Sequence, residues 1–294
     1  MSDLIVAAVD GSTEGLDAIA LGRALAGALD GSLALVGVYW PPLLPLSEHG
    51  RQLLVRRHAE AELSSMRDRY APQATIAALP GESVPRAIQR YAERRRALIV
   101  VLGSRATAPA GRAAISRRGR QLLNGGGFAL AIAARGVARR SAPPLQRIGV
   151  GFDGGPESRR ALALAVRLVR GDAELSLIAV VDNHLPLTFI DPEVVVGDWD
   201  AARAQTAARL REHGARAVSE LGGTARVVTA VGDPAEELRR RSSELDLIVV
   251  GSRRWGAIAR LVSGAVGETL VSDAGCSVVI VPRGPRASSR KADA

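Results

Sequence analysis

The chain has almost no sulfur, few aromatic rings and a single lysine, and each shortage closes off a class of protein. One cysteine, Cys276, among 294 residues rules out an internal disulfide framework. That usage fits a reducing compartment and predicts a cytoplasmic protein. Phenylalanine, tryptophan and tyrosine together make up 3% of residues, which leaves few platforms for stacking single-stranded bases. Lys291 is the only lysine, so the formal net charge of +9 rests almost wholly on arginine. Those arginines are scattered, as at Arg94 to Arg96, Arg117 and Arg118, and Arg239 to Arg241. They fall where outer helix faces are expected, which reads as a solvated surface rather than a nucleic-acid stripe. No run approaches the roughly 18 apolar residues needed to span a bilayer. The opening residues, MSDLIVAAVDGS, lack a basic leader and enter a strand pattern at once, so no secretory leader is expected.

What is present is a chain that is 47% hydrophobic and 23% charged, the balance of a globular protein. Its length suits two domains of about 100–150 residues each. Internal repetition supports that division. LIVAAVDGSTEGLDAIALGRAL, from Leu4, matches RIGVGFDGGPESRRALALAVRL, from Arg147. ALIVVLGSR (97–105) matches LDLIVVGSR (245–253), and FALAIAARG (128–136) matches CSVVIVPRG (276–284). The last two pairs share an offset of 148 residues, 251 against 103 and 284 against 136, so these segments align without a gap. We read two duplicated domains, 1–136 and 146–283, joined by VARRSAPPLQ, where Pro143 and Pro144 block any continuing element.

Each half parses alike. In the first, strands are predicted at 5–9, 33–39, 75–78, 97–102 and 129–133. In the second they are predicted at 147–152, 175–181, 225–230, 247–250 and 277–281, with helices at 156–171, 200–221, 234–243 and 264–273. Strands alternating with helices imply βαβ units and parallel pairing with both faces covered. The fold class is therefore α/β: two tandem five-stranded, mainly parallel, Rossmann-like sheets with helices on both faces.

Ligands of such sheets sit outside the carboxyl ends of the strands. In the second half those ends carry Asp153–Gly154–Gly155, Val180–Val181–Asp182, Gly232–Asp233 and Gly251–Ser252–Arg253–Arg254. An aspartate there can accept from a ribose hydroxyl or simply cap the next helix. Gly251 ends a strand and Gly264 opens the next helical segment, so two amide-rich turns can face one anion, or the glycines can serve packing alone. Neither a Walker loop nor a G-x-G-x-x-G fingerprint is present.

These residues resemble the universal stress protein family in its tandem two-domain form. The resemblance is carried by VDGS (9–12), FDGG (152–155), GDPAEEL (232–238), DLIVVGSR (246–253) and SGAVGETLVSDAGCSVVIVP (263–282). It covers about 3–136 and 146–283. It implies an adenine nucleotide alpha hydrolase-like fold, with the halves packed as a pseudo-dimer through FALAIA and CSVVIV. The family's ATP-binding branch carries G-x2-G-x9-G-[S/T] after the fourth strand. By resemblance, Gly251 matches the first glycine and Gly264 the third, while Arg254 stands for the second and Ala265 for the hydroxyl residue. Arg253 and Val266 flank these positions, and Asp153, Val180 and Val250 fall where the nucleoside is contacted. In the first half Asp10, Val38 and Gly103 keep their positions. Ala106, Ser116 and Arg117 replace the remaining glycines and the hydroxyl residue, so weaker nucleotide binding is expected there.

The implied ligand is ATP, AMP or ADP, with Mg2+ accompanying the phosphates, held mainly by the second half. The implied role is a nucleotide-gated regulator of a stress response, with homodimerisation and an unidentified protein partner compatible with it. A tandem scaffold that binds no nucleotide is the alternative, and a slow ATPase or adenylate-using enzyme a third. No nucleophile–base pairing emerges. The four histidines (His49, His58, His184 and His213) lack metal-ligand spacing, and Cys276, at a strand start, reads as a buried inert thiol.

Overall fold

The computed structural model describes residues 2–40, 48–123, 127–139, 145–182, 199–252, 270 and 272–282. In the first half, β1 (Leu4–Ala8), β2 (Ser32–Tyr39), β3 (Thr75–Pro80), β4 (Ile99–Gly103) and β5 (Ala129–Ala133) alternate with helices. These are α1 (Thr13–Ala28), α2 (Glu48–Tyr70), α3 (Val84–Arg94) and α4 (Arg117–Leu123). The second half repeats the plan with β6 (Arg147–Gly151), α5 (Pro156–Leu168), β7 (Glu174–Asp182), α6 (Trp199–Glu220), β8 (Arg226–Gly232), α7 (Pro234–Ser242), β9 (Leu247–Gly251) and β10 (Ser277–Val281). The strand predictions agree to within two residues. Helix α5 stops at Leu168 instead of 171, because Val169 turns to extended backbone and Gly171 takes a φ of +55°. The helix expected at 264–273 lies largely outside the described residues.

The two five-stranded halves, expected from the resemblance to meet through FALAIA and CSVVIV, join through those strands into one ten-stranded sheet, ordered β3-β2-β1-β4-β5-β10-β9-β6-β7-β8. Every pairing within a half is parallel. Across the seam β5 and β10 run antiparallel, with Leu130 opposite Ile280, Ala131 opposite Val279 and Ile132 opposite Val278. The reason lies in burial: β5 is buried along its whole length and β10 along four of its five residues. An unpaired edge there would leave backbone donors and acceptors away from water, a penalty removed by pairing the two edges.

The strands are near-continuous apolar runs because both faces are covered. One face buries Ile19 and Leu25 of α1, Leu63 of α2, Leu162 of α5 and Val218 of α6 against the sheet. The other buries Ile88 of α3, Leu122 of α4 and Leu238 of α7. Each core runs through both halves, so the seam lies inside the apolar layers. Arg170 adds a polar clasp, donating to the Ala28 carbonyl at 2.6 Å and to Asp30 at 2.5 Å. Exposed ion pairs of this kind contribute only about 0.2–1 kcal/mol.

Two glycines are dictated by close approach. A Cβ on Gly103 would overlap the Glu14 carbonyl in the first turn of α1, and one on Gly251 would lie 2.6 Å from the Glu157 carbonyl in α5. Strands β4 and β9 therefore end directly beneath a helix start, and only glycine lets the backbones meet. Gly103→Ala or Gly251→Ala should each cost about 1–3 kcal/mol of stability, read as a lower denaturant midpoint at unchanged slope. Amides of β5 and β10 should exchange as slowly as those of β1 and β6; exchange as fast as at Ser2 and Asp3 would mean that the seam does not hold in solution.

Candidate functional site

At the carboxyl end of β1 the chain turns through Gly11, whose φ is +78°. Ser12 then caps α1, its hydroxyl accepting from the Gly15 amide at 3.1 Å. Asp10 does not cap the helix. Its Oδ1 accepts from the Ser12 amide at 3.2 Å and from the Ser12 hydroxyl, so it orients the residue that does. The second half makes the same turn with other residues. Gly154 has a φ of +79°, and Asp153 Oδ1 accepts from the Gly155 amide at 2.8 Å and the Ser158 hydroxyl at 2.9 Å. Gly155 has no hydroxyl to offer, and Ser158 supplies one from the position that Gly15 holds in α1. Both carboxylates are exposed at the carboxyl end of the sheet.

A cleft of about 660 Å³ opens at this end of the first half. Three residues anticipated from sequence, Asp10, Val38 and Gly103, line it together. Its apolar wall comes from Val38, Ile88 of α3 and Leu122 of α4. Its polar side carries Asp10, Ser12 and Glu14 from the α1 turn, with Arg105, Ser116 and Arg117 from the segment after β4. The lining thus combines carboxylates with guanidiniums, a set that suits a ligand with hydroxyls and an anionic end.

The segment joining β4 to α4 forms an arch. Ser104 is buried, donating from Oγ to the Ala133 carbonyl at 2.7 Å and accepting from the Ala114 amide at 3.0 Å. The Arg105 amide donates to the Ala114 carbonyl at 2.8 Å, which draws the two feet of the arch together. Arg135 binds the Ala108 carbonyl through its guanidinium at 2.7 Å. Ser116, in the place of the family pattern's third glycine, caps α4 by accepting from the Gly119 amide at 3.1 Å. Arg117 is the first helical residue and is exposed.

In the second half Asp153, Val180, Val250 and Gly251 occupy the counterpart strand ends. Val250 is buried and Val180 partly so. Arg253, Arg254, Gly264, Ala265 and Val266 lie outside the described residues. Sequence reasoning ranked the second half first; its loop after β9 lies outside the described residues, and the cleft just described belongs to the first half. Ser104, Arg105, Ile88 and Leu122 were not among the anticipated site residues. The GSR triplet held the signal for Ser104 and Arg105. Ile88 and Leu122 become wall residues only through the packing of α3 and α4.

Among the described residues no three His, Cys, Asp or Glu side chains stand close enough to share a metal ion, and no helix is long and apolar enough to cross a membrane. Cys276 is buried, and that burial pushes its thiol well above the ordinary range, so it is a poor nucleophile. On α7, hydrogen bonds from Arg239 and Arg240 hold the Glu236 and Glu237 carboxyls below the usual range.

The sequence model of the universal stress protein family matches residues 1–124 and again residues 144–282. The universal stress protein YxiE of Bacillus subtilis is 28% identical over 141 residues, covering 45% of this chain and 95% of that protein. A universal stress protein of Mycobacterium tuberculosis is 32% identical over 133 residues, 45% of this chain and 43% of that one. The crystal structure of a universal stress protein from Archaeoglobus fulgidus superposes with a TM-score of 0.67 at 17% identity, covering 97% of this chain and all of that one. A second, from Pseudomonas aeruginosa, gives 0.63 at 15% identity over 96% and 93% of the two chains. The duplicated Asp-Gly turns, the five-stranded halves and the paired family matches lead to one conclusion: this chain belongs to the universal stress protein family, with two family segments in tandem.

Proposed function

We propose that the protein binds an adenine nucleotide at the carboxyl end of its sheet and acts as a cytoplasmic regulator gated by that occupancy. The observation that carries this reading is the first-half cleft, which gathers Asp10, Val38 and Gly103 with Arg105 and Arg117. Asp10 is an acceptor for ribose hydroxyls, and Val38 with Ile88 offers an apolar slot for a base. Arg105 and Arg117 are charge-assisted donors for phosphate oxygens, in place of the hydroxyl the family pattern carries. ATP, ADP and AMP all fit this donor set, and Mg2+ would enter with the phosphates.

We take 1–136 and 146–283 as the two domains, forming a pseudo-dimer within one chain; antiparallel pairing of β5 with β10 supports this. The second half supplies Asp153, Val180, Val250 and Gly251 at equivalent places and, by resemblance, Arg253, Arg254, Gly264, Ala265 and Val266. A whole-chain homodimer and a protein partner belong to the same reading. One observation favours the scaffold alternative: Arg117 stands at the helix start where the family pattern has a small hydroxyl residue. An arginine that fills the phosphate end would exclude the ligand.

Calorimetric titration with ATP, ADP and AMP decides between them. Saturable binding is expected, weakened about ten-fold or more by Asp10→Ala, because a hydrogen bond to a charged group contributes about 1.5–3 kcal/mol. Asp153→Ala reports the second half separately. Failure of all three nucleotides to bind at millimolar concentration would overturn the proposal in favour of the scaffold.

A further inference from the structure

The guanidinium side of the first-half cleft is built from the two feet of the arch, Arg105 at one and Ser116 with Arg117 at the other. Arg135 of the first half holds part of that arch, and the second half supplies a further set of contacts. The Ala113 amide donates to the Ala274 carbonyl at 2.8 Å, and the Ala274 amide returns a bond to the Ala113 carbonyl at 3.2 Å. Arg112 Nη1 lies 2.7 Å from Asp273 Oδ2. Arg120 of α4 donates to the Ser272 hydroxyl at 3.2 Å. All three partners, Ser272, Asp273 and Ala274, sit just before β10 in the second half.

Arg112 is the junction. Its side chain reaches across to Asp273, while its carbonyl accepts from the Arg135 amide at 2.9 Å and lies 3.2 Å from the Ser104 hydroxyl. Ser104 is the residue between Gly103 and Arg105, both of which line the cleft. A shift of Arg112 is therefore felt one hydrogen bond away, at Ser104 in the cleft wall. Asp273 is itself steadied from its own half, with Arg239 of α7 at 3.6 Å. Rigid contacts of this kind set the geometry of a site without touching its ligand.

We propose that Asp273 of the second half is a positioning residue for the first half's cleft: through Arg112 it holds the arch so that Arg105 and Arg117 face the ligand. The first site is thus completed by the second half of the chain. The positioning role rests on the nucleotide reading above; the latch itself does not.

The test uses the full-length protein carrying Asp153→Ala, so that only the first-half cleft is read, with Asp273 kept, changed to Ala or changed to Glu. Amide exchange across 105–116 is followed first without ligand, and ATP titration comes second. Asp273→Ala should speed exchange at the Ala113 and Arg105 amides several-fold while β1 and β6 stay unchanged. It should weaken ATP binding about two- to five-fold, the range of a partly exposed ion pair, and Asp273→Glu should restore both. Unaltered exchange in Asp273→Ala would overturn the latch. Faster exchange with unaltered ATP affinity would overturn the positioning role. Absence of ATP binding in the Asp273 parent would sink the nucleotide reading for this cleft and the positioning role with it, while the exchange comparison would still decide the latch.

Discussion

The antiparallel pairing of β5 with β10 is the constraint on which the rest of this structure depends. Each half is a parallel sheet whose last strand is apolar on both faces and lacks a partner on its outer side. Two such edges brought together satisfy each other's backbone groups and merge the apolar layers above and below. The seam is thus a middle pair in a ten-stranded sheet, and elements flanking it from opposite halves are forced into contact. Ala113 meets Ala274, Ser277 accepts from the Ala134 amide at 3.1 Å, and Arg112 meets Asp273 because the seam puts them there.

Against that shared frame the two halves have settled the same local problem differently. Each must hold an aspartate at the end of its first strand, just ahead of a helix. The first half does so with Ser12, which also caps α1, and keeps glycine at 15, where a Cβ would lie 3.3 Å from the Asp10 amide and carboxylate. The second puts glycine at the cap and spends Ser158 on Asp153. Asp17 is another departure: buried in α1, it accepts from the Gly136 and Ala138 amides at 2.7 and 2.9 Å and so pins the turn that follows β5. Its counterpart Arg160 is exposed. Duplication kept the backbone plan while side-chain chemistry drifted.

Much of the fold was legible because its signals are local and repeated. Apolar runs ending in Asp-Gly or Gly-Ser marked the strands, and the common offset of 148 marked the duplication. Asp10, Val38 and Gly103 could be named as candidate site residues from the family resemblance. Gly251 was read with Gly264 as an anion turn or a packing need, and the structure shows a packing need at Gly251 and at its counterpart Gly103: Glu157 and Glu14 leave no room for a side chain. That contact joins residues far apart in sequence, so spacing alone does not reveal it.

The sequence by itself determined the element order, the two-fold repetition, the parallel pairing within each half and the residues at the strand ends. These follow from hydrophobic periodicity and turn chemistry, which act over a few residues. Only the tertiary structure decided the antiparallel register of β5 on β10, that Ile88 and Leu122 close a wall, and that the arch after β4 is tied to Asp273 and Ala274. Those outcomes depend on which surfaces meet after the strands have paired, and contacts between distant residues leave no periodic trace in the chain.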